Sequence, residues 1–327
     1  MASRKPIIAI ATGDPAGIGP EISLKAALDP RVRKAGLPVL VGDAGILARH
    51  AEATGIVANL QVIRHAAEAR SATDSVSVLD CRQPDAIPLG AVSAAAGRAS
   101  LAFCGAAVQA AMTGEVDAVV AAPQNETSIA LAGIPFDGHP SFVARATGAD
   151  PDAVFMMLCF GDTRIAHATL HQSVRDALAA ITYDRVSRVI AETARTLQRM
   201  GIASPQIAVS GLNPHAGEGG LFGREEIEII TPAIDAAAAA GLNVAGPFGA
   251  DTMFHMQGID AFVVMLHDQG HIAAKLLAQN AAAALTIGTP ILFSSVAHGS
   301  AHDIAGKGIA DPGAMIEAVL RLAWARR

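Results

Sequence analysis

The sequence predicts an α/β fold on a largely parallel sheet, divided into two domains. Three observations carry that reading. Short apolar runs alternate with helical periodicities, the pattern of β-α-β units. A chain of 327 residues is about two domains long. Hydrophobic residues make up 51% and aromatics only 4%, so aliphatic cores and closely packed Ala-rich helices are expected.

The elements follow in order. PIIAIA (6–11) reads as a buried strand, TGDPAGIGP as a loop and EISLKAAL as a helix. Pro20 suits a first helical turn and Glu21 its positive end. PVLVGD and GILARHAEA repeat the pattern. Ser93 suits an N-cap for a long helix reaching Thr113, and VDAVVAAP (116–123) is a strand ending at Pro123. AVFMMLCF and RIAHATL read as strands paired across the turn at Gly161 and Asp162. A helix from Arg185 to Arg199 follows, then the strand QIAVSGL (206–212), which runs into NPHAGEGG. Helical signal returns at 224–240 and strand signal at 260–266. GAMIEAVLRLAWARR ends the chain as an amphipathic helix with a basic tail. No repeat or linker marks a boundary. The expected division is 1–125 plus 295–327 for a domain holding both termini, and 126–294 for the other.

Composition excludes several classes. A net charge of −6 lacks the basic footprint of a nucleic-acid binder. Cys81, Cys104 and Cys159 are widely spaced with no CxxC, so a disulfide framework is not expected and a reducing cytosol fits. The N-terminal run lacks a signal-peptide pattern, and PAIDAAAAAGL is too short to span a membrane. A cytoplasmic location is expected.

His171, His215 and His267 each fall just past the carboxyl end of a predicted strand, where open α/β sheets bind ligands. Three imidazoles with open positions suit a catalytic divalent metal; equally, each suits a separate hydrogen-bonded loop. TGDPAGIGPE is either a ligand-facing loop or a tight turn. In HGSAHDIAGKG (298–308), Gly299 and Ser300 let a backbone approach a nucleotide, and Asp303 suits either ribose hydroxyls or a helix cap. Lys275, eight residues after His267, would share a helix face with it, either to bind a carboxylate or transfer a proton, or as an ordinary exposed lysine. Asp251 and Asp268 suit a metal's outer shell, or caps.

GDPAGIGPE, NPHAGEGGLFGREE, GPFGADTMF, HDQGHI and HGSAHDIAGKGIADPG together resemble the 4-hydroxythreonine-4-phosphate dehydrogenase superfamily, in order through nearly the whole chain. The resemblance implies a two-domain fold like that of isopropylmalate and isocitrate dehydrogenases, with a cleft between the domains. It also implies a homodimer with its active site near the subunit interface. His171, His215 and His267 match the metal histidines, with zinc the ion three imidazoles suit best. The 298–304 loop, with His298, Gly299, Ser300, Asp303 and Ile304, matches the NAD-binding segment.

The departures point to the substrate. Members acting on phosphorylated hydroxythreonine read GHTE; this chain has GHPS, with His139, Pro140 and Ser141. Proline offers neither hydroxyl nor N–H to a phosphate. Those members carry NITLGLPxxRTSV; here ALTIGTPILFSSV puts Ala284 for the Asn and Phe293 for the Arg, removing a bidentate anion clamp. Glu126 stands where a lysine is usual. His139, Ser141, Lys275 and Phe293 are the candidate substrate contacts, with Phe293 expected to offer a flat apolar surface. The set is most similar to the terephthalate dihydrodiol dehydrogenase branch. That implies oxidation and decarboxylation of 1,2-dihydroxy-3,5-cyclohexadiene-1,4-dicarboxylate to protocatechuate, carbon dioxide and NADH. The alternatives are a dehydrogenase of 4-hydroxythreonine 4-phosphate or threonate 4-phosphate, and a non-catalytic metal- or nucleotide-binding protein.

Overall fold

The computed structural model describes residues 4–71, 74–278 and 283–324. Among them twelve strands run in chain order: β1 (Ile7–Ala11), β2 (Leu37–Gly42), β3 (Leu60–Ile63), β4 (Val76–Asp80), β5 (Ala118–Ala121), β6 (Phe155–Phe160), β7 (Thr163–His167), β8 (Gln206–Ser210), β9 (Asn243–Phe248), β10 (Ala261–Val264), β11 (Ala283–Ile287) and β12 (Phe293–Val296). The chain forms two compact units, Met1–Gly148 with Pro290–Arg327, and Ala149–Thr289.

In the first unit the strand order is β3-β4-β2-β1-β5-β12, and every neighbouring pair is parallel. Parallel strands are covered on both faces, which is why β1 reads IIAIA and is buried at all five positions. Ile7, Val39, Val119, Cys104 and Phe293 fill one core cluster; Ala16, Ile46 and Phe103 belong to another. Several helices start at side-chain caps. The Asp43 carboxylate accepts the Ile46 N–H at 2.9 Å ahead of the Ala44–Thr54 helix. The Ser93 hydroxyl accepts the Ala96 N–H at 3.1 Å ahead of the Ala94–Met112 helix.

In the second unit the order is β11-β6-β7-β10-β8-β9. Pairing is antiparallel through β11-β6-β7 and parallel through β7-β10-β8-β9. The β6–β7 hairpin turns at Gly161 and Asp162 as expected, with Gly161 at φ +46°. Thr182 caps the Tyr183–Arg199 helix.

Several elements escaped the sequence reading for identifiable reasons. β9 holds Gly246 and Pro247, which break a strand pattern, and it lies at an edge where they are tolerated. β12 begins FSS, too polar to read as a buried strand. The helical signal at 224–240 resolves into a π-turn at Glu226–Ile230 followed by the Thr231–Ala239 helix. The units also divide at other residues than 125/126 and 294/295. The Glu126–Leu131 and His139–Thr147 helices pack on the Ala94–Met112 helix, so 126–148 stays with the first unit. Residues 290–294 join it because they lead into β12 beside β5. The basic tail at 326–327 lies outside the described residues. Among the described residues, no helix is long and apolar enough to cross a membrane.

Candidate active site

In the second unit, β7, β10 and β8 are adjacent and parallel, so the segments leaving their carboxyl ends emerge at one sheet edge. His171 follows β7, His267 follows β10 and His215 follows β8. The segments are tied to one another by polar contacts. The Thr169 hydroxyl donates to the Met265 carbonyl at 2.7 Å. The Gln269 carboxamide oxygen accepts the N–H groups of Met265 and Leu266 at 3.0 and 2.9 Å, and its amide nitrogen donates to the Gly211 carbonyl at 3.1 Å. Gln269 thereby joins the β10 and β8 segments.

The His171 and His267 rings lie 5.6 Å apart, centroid to centroid. His267 stacks on His271 at 3.7 Å with 9° between planes, and His271 meets His167 at 4.7 Å. Burial, reinforced by the neighbouring imidazoles, pulls His271 down to about 4 and His167 to about 3. Asp268 lies 2.7 Å from His267 Nδ1. With Nδ1 engaged there, Nε2 keeps its lone pair for a ligand, the usual outer-shell arrangement of a metal histidine. Gly270 is required beside this stack: a Cβ on it would stand 2.3 Å from His167 Nε2.

His215 sits on a different kind of segment. Residues 215–219 all have positive φ, including the non-glycines His215 (52°), Ala216 (53°) and Glu218 (43°). The buried Glu226 carboxylate holds this left-handed turn, accepting the N–H groups of Leu212 and Asn213, both at 2.7 Å, and the Asn213 amide at 2.9 Å. His215 Nδ1 faces Glu218 at 3.3 Å. Among the described residues, no three His, Cys, Asp or Glu side chains are gathered closely enough to hold an ion. The structure therefore brings His171 and His267 together, and places His215 at the same sheet edge with its ring turned to Glu218. The donor set, three imidazoles at one edge with His267 oriented by Asp268, fits a divalent metal. Asp251 is exposed, and its carboxylate lies beside Gly249, whose Cβ position is 3.9 Å from the His215 Cα. Lys275 is exposed and follows His267 and His271 at four-residue steps on the His267–Ala278 helix.

The first unit has its own edge, where the segments after β1, β5 and β12 emerge side by side. Asp14 is fully buried. Its Oδ1 accepts the Ala16 N–H at 2.8 Å, and its Oδ2 meets His302 Nε2 at 2.9 Å. The Ile18 N–H donates to the Ser300 carbonyl at 2.8 Å, and the Asn125 amide to the Ser300 hydroxyl at 3.3 Å. A Cβ on Gly17 would stand 2.4 Å from the Ser300 carbonyl oxygen, so the GDPAG segment packs directly on 298–304. Ala301 adopts φ +40°. Gly299 has open space around it, Ile304 is half-buried, and His298 and Asp303 are exposed. GDPAG thus serves as the support of the expected nucleotide segment. Sequence reasoning missed Asp14, Asn125 and Gln269, because each acts on a partner outside its own motif, and Glu226, because it acts on the far end of its motif, thirteen residues back at Asn213.

His139 and Ser141 open the His139–Thr147 helix in this same unit. Ser141 hydrogen-bonds Asp137, and Arg145 donates to that carboxylate at 3.1 Å. One expectation is corrected here. Phe293 is 1% exposed, so its ring offers no surface to a substrate. The first side chain of β12 points into the core, and Phe293 packs against His139 instead. Ala284 is likewise a buried strand residue of the second unit's core.

Residues 34–323 match the family described as pyridoxal phosphate biosynthetic protein PdxA. The chain is 42% identical over 315 residues to a 1,2-dihydroxy-3,5-cyclohexadiene-1,4-dicarboxylate dehydrogenase of Comamonas sp, covering 96% of both chains. It is 40% identical over 324 residues to a D-threonate 4-phosphate dehydrogenase of Cupriavidus necator, covering 98% of this chain and 97% of that one. The crystal structure of a 4-hydroxythreonine-4-phosphate dehydrogenase from Burkholderia phymatum superposes with a TM-score of 0.90 at 38% identity, covering 99% of this chain and all of that one. These relatives are dehydrogenases, and the α/β fold expected from the sequence is the fold they share.

Proposed function

The chain belongs to the PdxA family, and within it we propose that it is a metal- and NAD-dependent dehydrogenase that oxidises and decarboxylates 1,2-dihydroxy-3,5-cyclohexadiene-1,4-dicarboxylate. The observation that carries this reading is the likeness, at 42% identity, to a relative named for that substrate. The chain's own GHPS and ALTIGTPILFSSV stretches support it, since Pro140 and Phe293 cannot clamp a phosphate. A divalent ion, if held by His171, His215 and His267, would supply Lewis acidity toward the substrate hydroxyl, and bound NAD would supply the hydride acceptor. Zinc suits that ligand set best.

The chain's own residues do the rest. Asp268 orients His267, and Asp251 stands beside the His215 segment. Lys275 binds a substrate carboxylate or carries a proton at its Nζ. His139 and Ser141 contact the substrate, and Phe293 acts from behind His139. The backbone of 298–304 approaches the dinucleotide, with Asp303 accepting from the ribose hydroxyls. The active assembly is a homodimer, a reading that suits the exposed Leu221 and Phe222 near His215 and the exposed Ile272 and Leu276 near His271.

The test is NADH formation with the terephthalate cis-dihydrodiol, D-threonate 4-phosphate and 4-hydroxythreonine 4-phosphate, each with and without divalent metal. Turnover of the dihydrodiol with release of carbon dioxide is expected. Turnover of a phosphorylated acid alone would overturn the substrate assignment.

A further inference from the structure

Aromatic rings gather around the start of the His139–Thr147 helix. The His139 ring meets Phe136 edge-on, 5.8 Å between centroids at 87°, and Phe293 at 5.6 Å and 43°. Both distances lie within the range of favourable ring pairs. Phe142 supports Phe136 from 6.3 Å. Phe293 itself is fixed in the core with Val143, Cys104 and Val108. Within this cage His139 Nε2 is buried and has no hydrogen-bond partner, whereas Nδ1 is not among the sealed atoms. An unpaired buried ring nitrogen costs free energy that the surrounding packing must offset.

We propose that Phe293 is a positioning residue for His139: with Phe136 it seals Nε2 among aromatic rings and leaves Nδ1 as the ring's one outward hydrogen-bonding atom. The proposal rests on the reading above that His139 meets the substrate. An uncharged ring can bond a hydroxyl or carboxyl group but supplies no charge to hold a phosphate, so Phe293 sets specificity without touching the ligand. A cation at 293 could not occupy the same buried place without a partner.

The charged groups around the cage agree with this. Asp137 on the preceding loop is taken by Ser141 and Arg145. On the packed Ala94–Met112 helix, Arg98 pairs with Asp85 at 3.1 Å, and burial pushes the Cys104 thiol up to about 12, leaving it neutral. Glu126 is exposed on the Glu126–Leu131 helix, and β12 carries no ionisable side chain. Burial alone lowers His139, to about 4.

The test is an NMR pH titration of the histidine rings in the ligand-free protein, with His139 assigned by its absence in His139→Gln. Wild type is expected to titrate His139 at about 4. Phe293→Leu should move it toward the ordinary value of about 6.5. Phe136→Leu, at a half-buried loop position outside the core, should do the same if Phe293→Leu fails to fold. Phe293→Met, which keeps apolar bulk, should restore the low value. In turnover, Phe293→Leu should raise KM for the dihydrodiol about tenfold, the worth of one misplaced hydrogen bond, with kcat within about threefold. A wild-type His139 titrating near its ordinary value, or no movement in either variant, overturns the proposal. Because the titration needs no ligand, failure of the dihydrodiol assay sinks the substrate assignment and leaves the cage to be judged on its own.

Discussion

Glu226→Gln is the most demanding test of how the His215 segment is held. The left-handed turn costs about 1–2 kcal/mol for each of His215, Ala216 and Glu218, roughly 3–6 kcal/mol together. The buried Glu226 carboxylate opposes that cost with three hydrogen bonds at 2.7, 2.7 and 2.9 Å. Charge-assisted bonds contribute about 1.5–3 kcal/mol each and neutral ones about 0.5–1.5. Glutamine keeps one oxygen for the Leu212 and Asn213 N–H groups but turns its own NH2 against the Asn213 amide. Two bonds weaken by about 1 kcal/mol each and the third, worth about 1.5–3 kcal/mol, is lost, so about 3.5–5 kcal/mol is removed, comparable to the stored backbone cost. The segment should therefore open locally before the unit unfolds. Hydrogen exchange over 211–223 should accelerate on the order of 1,000-fold, while β8 and β10 keep their protection. The pH dependence has a definite sign. Burial raises the Glu226 carboxyl, but bonds from Asn213 and Leu212 outweigh it, and the folded value lies below the ordinary 4.5. A depressed carboxyl gives stability that is full above the ordinary value and lost as pH falls through the folded one. Wild type should lose protection of 211–223 below about pH 4.5, and Glu226→Gln should lack that acid limb. Unchanged exchange in the variant, or the same acid limb in both proteins, would refute the reasoning.

Other expectations follow from the same geometry. Gly270→Ala places a Cβ 2.3 Å from His167 Nε2, so overpacking should cost about 1–3 kcal/mol in denaturant titrations and weaken zinc binding by calorimetry. His171→Ala should abolish high-affinity zinc binding with the melting temperature of the metal-free protein unchanged within about 2 °C, since its loss leaves no core cavity. Asp14→Asn keeps the Ala16 contact but removes the charge facing His302; KM for NAD should rise about tenfold with kcat nearly constant in steady-state kinetics.

The regular parts of the fold were legible because their signals are local. β1, β2, β8 and β10 are short, mostly apolar runs, and Ser93 and Gly161 act on their immediate neighbours. β9 and β12 were not legible: one is broken by Gly246 and Pro247, the other carries two serines, and both are strands because of the partners they find. The unit boundary has the same cause. Nothing in 126–148 marks which sheet it joins; its helices pack on the Ala94–Met112 helix from thirty residues earlier.

The candidate site divides along the same line. Residues expected to meet ligands stand on strand-end segments, where polarity and glycine made them visible in the sequence. The residues that aim them lie one step deeper: Asp14 behind His302, Gln269 behind the His267 segment, Glu226 behind His215, and Phe293 behind His139. Two of these, Asp14 and Glu226, are polar groups removed from water, where an unmade hydrogen bond is expensive and a made one is directional. That is why they can hold segments with positive φ at Ala301 and His215. A sequence reading weighs Glu226 as one acid in a run of two and Phe293 as an apolar surface, because burial is the property that assigns their roles. Substitutions at these deeper positions should therefore alter ligand affinities while the exposed residues remain chemically intact, separating the aiming of a site from its chemistry.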